Sequence, residues 1–125
     1  MKLDPDRCRS LLFVPAGNKR FVNSAMRGHA DVIQLDLEDA IAPSQKQAAR
    51  ESARMELETI DAAGRVVSVR VNVDDSLLAA DLEGVVHPGL SALTIPKVES
   101  SEMLAAIDQQ VSRLESKRSM PSGEI

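Results

Sequence analysis

Three carboxylates crowd the end of one apolar run: Val32-Ile33-Gln34-Leu35-Asp36-Leu37-Glu38-Asp39-Ala40 places Asp36, Glu38 and Asp39 within four residues. Unpaired buried carboxylates are costly, so such a stretch either opens on a polar mouth or pairs its charges with cations. The candidate cations stand at the ends of two later apolar runs, Arg70 in Val69-Arg70-Val71-Asn72 and Lys97 in Ile95-Pro96-Lys97-Val98-Glu99. Carboxylates beside a guanidinium and an ammonium can bind an anionic substrate, flank a metal ion, or neutralise one another.

The elements that must position these groups follow from the pattern between them. Leu11-Leu12-Phe13-Val14-Pro15-Ala16 is a short apolar run broken by Gly17-Asn18, a buried strand and its turn. Phe21, Val22, Ala25 and Met26 recur at helical spacing before Gly28, a C-terminal stop. Residues 32–37 are apolar at nearly every position, as in a parallel strand covered on both faces. Pro43-Ser44 opens a second helix, with Ser44 and Gln47 spaced as a capping box and Ala49, Ala53, Leu57 and Ile60 on one face. The β-branched residues 66–71 form a third strand, and Asp74-Asp75 cap a helix that buries Leu78, Leu82 and Val85. Residues 92–96 make a fourth strand, and Ser100 or Ser101 caps a last helix burying Leu104, Ile107, Val111 and Leu114. The polar, Pro/Gly-containing residues 119–125 are expected to fray.

Four strands alternating with four helices imply right-handed βαβ crossovers and a parallel sheet, an α/β domain spanning residues 1–125. Either an open doubly wound sheet or four consecutive units of a (β/α)₈ barrel satisfies the alternation. The polar strand ends, Asp36 with Glu38, Arg70 with Asn72 and Lys97 with Glu99, favour the barrel, because all would project at one C-terminal rim.

Composition removes several function classes. With 15 basic and 19 acidic residues, a net charge of -4 and a pI near 5.1, no basic field gathers nucleic acid or an anionic membrane. Aromatic residues are 2% and include no Trp or Tyr, so stacking platforms for bases or sugars are missing. The single cysteine, Cys8, excludes an internal disulfide, and no Cys/His spacing resembles a zinc site. No apolar run approaches the ~18 residues of a membrane span, and residues 1–9 lack a signal-peptide core. A cytoplasmic protein is the expectation.

Arg9-Ser10-Leu11-Leu12-Phe13-Val14-Pro15, Leu35-Asp36-Leu37-Glu38-Asp39-Ala40, Val69-Arg70-Val71-Asn72 and Ile95-Pro96-Lys97-Val98-Glu99, in that order, resemble the citrate lyase β-subunit-like branch of the HpcH/HpaI aldolase superfamily. The resemblance spans residues 9–114 and implies a (β/α)₈ barrel that cleaves or forms carbon–carbon bonds in short hydroxyacyl-CoA thioesters with Mg²⁺. A metal and a guanidinium aimed at the enolate oxyanion would stabilise it. The resemblance makes Arg70 the substrate-binding arginine, with Asp36 and Glu38 beside it as catalytic candidates, and sets Glu38 and Asp39 next to the metal. The direct metal carboxylates would lie beyond residue 125. Arg70 paired with Asp36 or Glu38, and Asp39 as a helix cap or loop ion pair, are the plainer readings.

Lys97 admits two readings, a Schiff-base amine of a metal-independent aldolase or an ion pair inside the rim. By resemblance, Arg9, Asn18, Lys19 and Arg20 approach the nucleotide end of CoA, although Lys19 and Arg20 also suit a solvated helix start. His29 and His87 precede strands, at the rim opposite the candidate site, and no histidine is placed to activate Cys8. The chain is expected to be the N-terminal half of the barrel, with an uncovered inner face of Val, Leu and Ile and two open sheet edges. Such a half would associate, as a homo-oligomer or with another half-barrel, and could be a non-catalytic piece that binds CoA.

Overall fold

A computed structural model describes residues 2–125. After a 3₁₀ turn at Pro5–Arg7, four strand–helix units follow: β1 (Leu11–Pro15), α1 (Lys19–Arg27), β2 (Val32–Asp36), α2 (Lys46–Ala62), β3 (Val66–Arg70), α3 (Asp75–Val85), β4 (Ala92–Thr94) and α4 (Ser101–Lys117). The strands are parallel and ordered β1-β2-β3-β4. Right-handed crossovers that always step in the same direction lay every helix on one face of the sheet. A doubly wound sheet reverses direction and covers both faces, so the architecture is that of four consecutive (β/α)₈ barrel units.

Alternation along each strand assigns the two faces. Ile33, Leu35, Leu37, Val67, Val69 and Val71 pack against Ala49, Ala53, Leu57, Ile60, Leu82, Val85 and Ile107 from the helices, nearly all of them solvent-free. The face without helices carries Gln34, Asp36, Ser68, Arg70 and Thr94, together with Leu11 and Phe13 of β1 and Val32 and Val66 at the strand starts. This narrows the expectation of an uncovered Val, Leu and Ile face: most of those side chains point to the helices, and the inner face is polar toward the C-terminal strand ends but keeps Leu11, Phe13, Val32 and Val66. What stays open is β1 as an edge strand, where Leu11, Leu12 and Phe13 are 40%, 43% and 51% exposed. Among the described residues no helix is long and apolar enough to cross a membrane.

Most helix ends follow their capping chemistry. Asn18, Asp74 and Ser100 accept hydrogen bonds from the Phe21, Ser76 and Met103 amides. The Ser44/Gln47 capping box does not form. Pro43–Gln45 winds one 3₁₀ turn before α2, and the Gln47 side chain instead donates to Glu51 and accepts from Arg50. Leu104, expected in the core, is 43% exposed. The inward face of α4 starts one residue earlier, at Met103, and continues through Ile107, Val111 and Leu114.

Residues 119–125, expected to fray, fold back against α4. Glu115 on α4 is 1% exposed, and its carboxylate accepts hydrogen bonds from the Gly123 and Ile125 amides at 2.9 and 3.0 Å, while Met120 is buried. A buried carboxylate satisfied by backbone amides ties the chain after α4 to the helix layer.

Candidate active site at the strand ends

Parallel register brings the last residues of the four strands level. Pro15 aligns with Asp36, Asp36 with Arg70, and Arg70 with Thr94. Side chains at aligned positions share a face, so the sheet itself sets Asp36 against Arg70. Arg70 Nε and Nη2 donate to Asp36 Oδ1 and Oδ2, both at 2.8 Å. The same two oxygens accept from the Glu38 and Ala40 amides at 3.0 Å. Each oxygen of this carboxylate therefore has two donors. Burial alone would push the Asp36 carboxyl up, but Arg70 and the two amides outweigh it and hold it below the usual aspartate value. Asp36 reciprocally raises Arg70 above the ordinary arginine value.

The bidentate bond consumes Nε and Nη2 and leaves Nη1 at the rim. Nη1 lies 3.7 Å from Glu38 Oε1 and 3.9 Å from Asp39 Oδ2, ion-pair distances that are too long for hydrogen bonds. Glu38 Oε2 is buried without a hydrogen bond, with the Lys97 ammonium 3.5 Å away. An incompletely satisfied buried carboxylate oxygen beside a guanidinium nitrogen with no short partner is where an added ligand would gain most. The Phe13 ring underlies the arginine, its centroid 4.8 Å from Arg70 Cζ.

The loop carrying Glu38 and Asp39 is held from below. Lys46 Nζ donates to the Leu37 and Glu38 carbonyls, and Asn72 Nδ2 donates to the Leu37 carbonyl at 2.8 Å. Asn72 is in turn gripped by Asp81, which also binds Arg50. One layer deeper, Gln34 Oε1 accepts from the Ser68 and Thr94 hydroxyls while its Nε2 has no partner.

Asp36, Glu38, Asp39, Arg70 and Lys97 are thus gathered as the sequence pattern indicates. Lys97 has its backbone in the left-handed region at φ 52° and its side chain 67% exposed. The dry surroundings that a Schiff-base amine needs are not built around it. Asn18 spends its carbonyl oxygen capping α1, and Lys19 and Arg20 are exposed on the first turn of that helix. Arg9 is at the other end of the sheet. Its guanidinium and amide bind Asp31 ahead of β2, and a five-residue strand at about 3.3 Å per residue separates it from the Arg70 rim by roughly 16 Å. That corrects its grouping with Asn18, Lys19 and Arg20, because Arg9 precedes β1 whereas the other three follow it.

Among the described residues no group of three His, Cys, Asp or Glu side chains could hold a metal ion. Asp36 is saturated, so Glu38 and Asp39 are at most two donors of a larger set. A groove of about 430 Å³ runs at the same end of the sheet between the turn after β1 and the loop after β2, walled by Ala16, Gly17, Asn18, Ala40, Ile41 and Ala42. A larger cavity of about 580 Å³, lined by Cys8, His29, Asp31 and Arg65, opens at the opposite end, away from the charged rim.

Sequence reasoning missed Phe13, Lys46, Glu56 and Asp81. Glu56 of α2 is buried, and both its oxygens accept from the Gly17 amide at 3.0–3.1 Å, fixing the turn after β1. The signal available for Asp81 and Glu56 was an acid falling on the apolar face of a helix, which marks a buried partner without naming it.

Residues 9–123 match the model of the HpcH/HpaI aldolase/citrate lyase family. Citrate lyase subunit beta of Leuconostoc mesenteroides subsp. cremoris is 31% identical over 116 residues, covering 92% of this chain and 38% of that protein. A (3S)-malyl-CoA thioesterase of Cereibacter sphaeroides is 39% identical over 100 residues, covering 79% of this chain and 35% of its own. In structure, 99% of the chain superposes on 41% of Haloferax volcanii malate synthase, solved as a lead(II) complex, with a TM-score of 0.85 at 16% identity, a likeness of fold. The chain spans 35–38% of the length of those two curated relatives. A match over nearly all of the chain, with Asp36, Glu38, Arg70 and Lys97 inside it, establishes that the chain belongs to the HpcH/HpaI aldolase/citrate lyase family.

Proposed function

We propose that this chain forms the substrate-anchoring part of a carbon–carbon lyase acting on a short hydroxyacyl-CoA thioester of the citryl-, malyl- or citramalyl-CoA type. In cleavage the hydroxyl loses its proton and the carbon–carbon bond breaks. The electron pair passes to the thioester carbonyl as an enolate, and protonation at carbon releases the shorter acyl-CoA beside a keto acid. Arg70 Nη1 binds the carboxylate or keto oxygen, held square by Asp36 through its other two nitrogens. The observation that carries this reading is the asymmetric use of Arg70: one edge is locked to Asp36 at 2.8 Å and Nη1 is left without a short partner. Small side chains along the groove by Gly17 and Ala40 suit the slender arm of a CoA thioester; Asn18 lines that groove, and Lys19 and Arg20, next on the first turn of α1, would meet its phosphates. Mg²⁺ would need carboxylates besides Glu38 and Asp39.

Acetyl-CoA supplied with glyoxylate or oxaloacetate, in Mg²⁺ or in EDTA, tests the proposal by mass detection of malyl- or citryl-CoA. Product that disappears in Arg70→Ala supports it. Neither product nor calorimetric binding of acetyl-CoA overturns it for this chain.

The exposed Leu11, Leu12 and Phe13 edge favours a second reading, in which the chain works only when associated with another half-barrel, a second copy included. CoA binding without turnover, in a species heavier than the monomer by sedimentation, would identify that case.

A further inference from the structure

We propose that Asp81, a buried acid on the outer helix layer, is a positioning residue for the Asp36–Arg70 pair, acting through Asn72 and the peptide plane between Leu37 and Glu38. This rests on reading the strand-end rim as the reacting site.

Asp81 is 1% exposed. Its Oδ2 accepts from both the backbone and side-chain nitrogens of Asn72, at 2.8 and 2.7 Å, and its Oδ1 accepts from Arg50 Nε of α2 at 2.8 Å. These bonds fix the Asn72 carboxamide in one orientation, with Nδ2 donating to the Leu37 carbonyl at 2.8 Å. The Leu37 carbonyl and the Glu38 amide belong to one planar peptide unit, so holding the oxygen aims the N–H. That N–H donates to Asp36 Oδ1, the same oxygen that receives Arg70 Nε. The path from Asp81 to Arg70 is thus hydrogen-bonded at each step and crosses a rigid plane. Lys46 reaches the same Leu37 carbonyl from the loop side with a flexible stem, whereas Asn72 is short and doubly anchored. The reacting edge is therefore set by packing of α2 and α3 as well as by strand register.

Amide hydrogen exchange of the ¹⁵N-labelled chain tests this without substrate. In Asp81→Asn and in Asn72→Ala, exchange at the Glu38 amide should quicken about tenfold relative to the Leu35 and Val69 amides inside the strands, as losing one buried hydrogen bond favours local opening. A merely stabilising role would speed all three alike. An unchanged ratio in either folded variant overturns the proposal. Should Asp81→Asn not fold, the Arg50→Ala/Asp81→Ala double variant, which removes both charges of the buried pair together, takes its place. Because nothing here depends on turnover, an inactive chain does not affect the outcome, and an unchanged ratio leaves the lyase reading standing.

Discussion

The Cβ that Gly84 lacks would stand 2.7 Å from Cγ of Arg50 and 3.0 Å from its Cδ. Gly84 is a helical position of α3, one where glycine costs about 1 kcal/mol relative to alanine. The cost is accepted because the Arg50 stem passes over that residue to reach Asp81. Gly84→Ala should destabilise the chain by about 1 kcal/mol net, the steric penalty exceeding the propensity gain. In an Arg50→Ala background the same substitution should reverse sign and stabilise by about 1 kcal/mol. Urea unfolding of the four members of this cycle measures both.

The Asp36–Arg70 pair should be costly to break from either side. Asp36→Asn leaves the guanidinium and the Glu38 and Ala40 amides short of acceptors, with an expected loss of about 3 kcal/mol by denaturant unfolding. Arg70→Lys keeps the charge and loses the fork. Any turnover or binding of the keto acid should then fall about 100-fold or more, with acetyl-CoA affinity altered far less.

Asp36 and Glu56 should make the stability profile respond to pH in opposite directions. The Asp36 carboxyl sits below its ordinary value, so its contribution is complete above that value and is lost as pH falls through the folded one. Burial raises Glu56 against the opposing pull of the Gly17 amide and Lys19, so the folded state holds that proton more tightly than the unfolded state does. Stability from Glu56 therefore declines as pH rises from the ordinary glutamate value through the raised one. Glu56→Gln keeps an acceptor for the Gly17 amide and removes this dependence. Relative to the parent, it should be less stabilising at pH 4 than at pH 7, as thermal melts at the two pH values would reveal.

The strand ends were legible because burial on both faces imposes an apolar run on β2 and β3, against which Asp36, Glu38 and Arg70 stand out. The sequence leaves Arg70 facing either Asp36 or Glu38, and the observed register, with Asp36 level with Arg70, selects Asp36 for the bidentate bond. What the pattern left open lies on the helices. Glu56 and Asp81 fall on apolar helix faces, which signals a buried partner, but only the fold shows that the partners of Glu56, Asp81 and Glu115 are the Gly17, Asn72, Gly123 and Ile125 amides. The sequence neighbourhood of Arg9 to the first strand suggests a place near its end, but that strand runs away from Arg9, and Asp31 takes its guanidinium at the far end. Leu104 and Leu114 both fit a helical stripe, and only contact with the sheet decides that Met103 rather than Leu104 begins it.

Phe13 links the rim to the open edge. Its ring supports the Arg70 guanidinium at 4.8 Å while remaining 51% exposed, and it belongs to the edge strand with Leu11 and Leu12. Replacing Leu12 with lysine puts a charge on that edge without touching Arg70 and opposes strand addition. If β1 is the surface through which chains associate, Leu12→Lys should shift the sedimentation profile toward monomer while leaving the Asp36–Arg70 hydrogen bonds intact. Phe13→Leu should instead weaken the rim, with a coupling to Arg70→Lys of about 0.5–1 kcal/mol in a double-mutant cycle. Equal effects of the two substitutions on association and on Arg70 would mean that edge and site are one surface, so that any partner covering β1 also completes the pocket over Arg70.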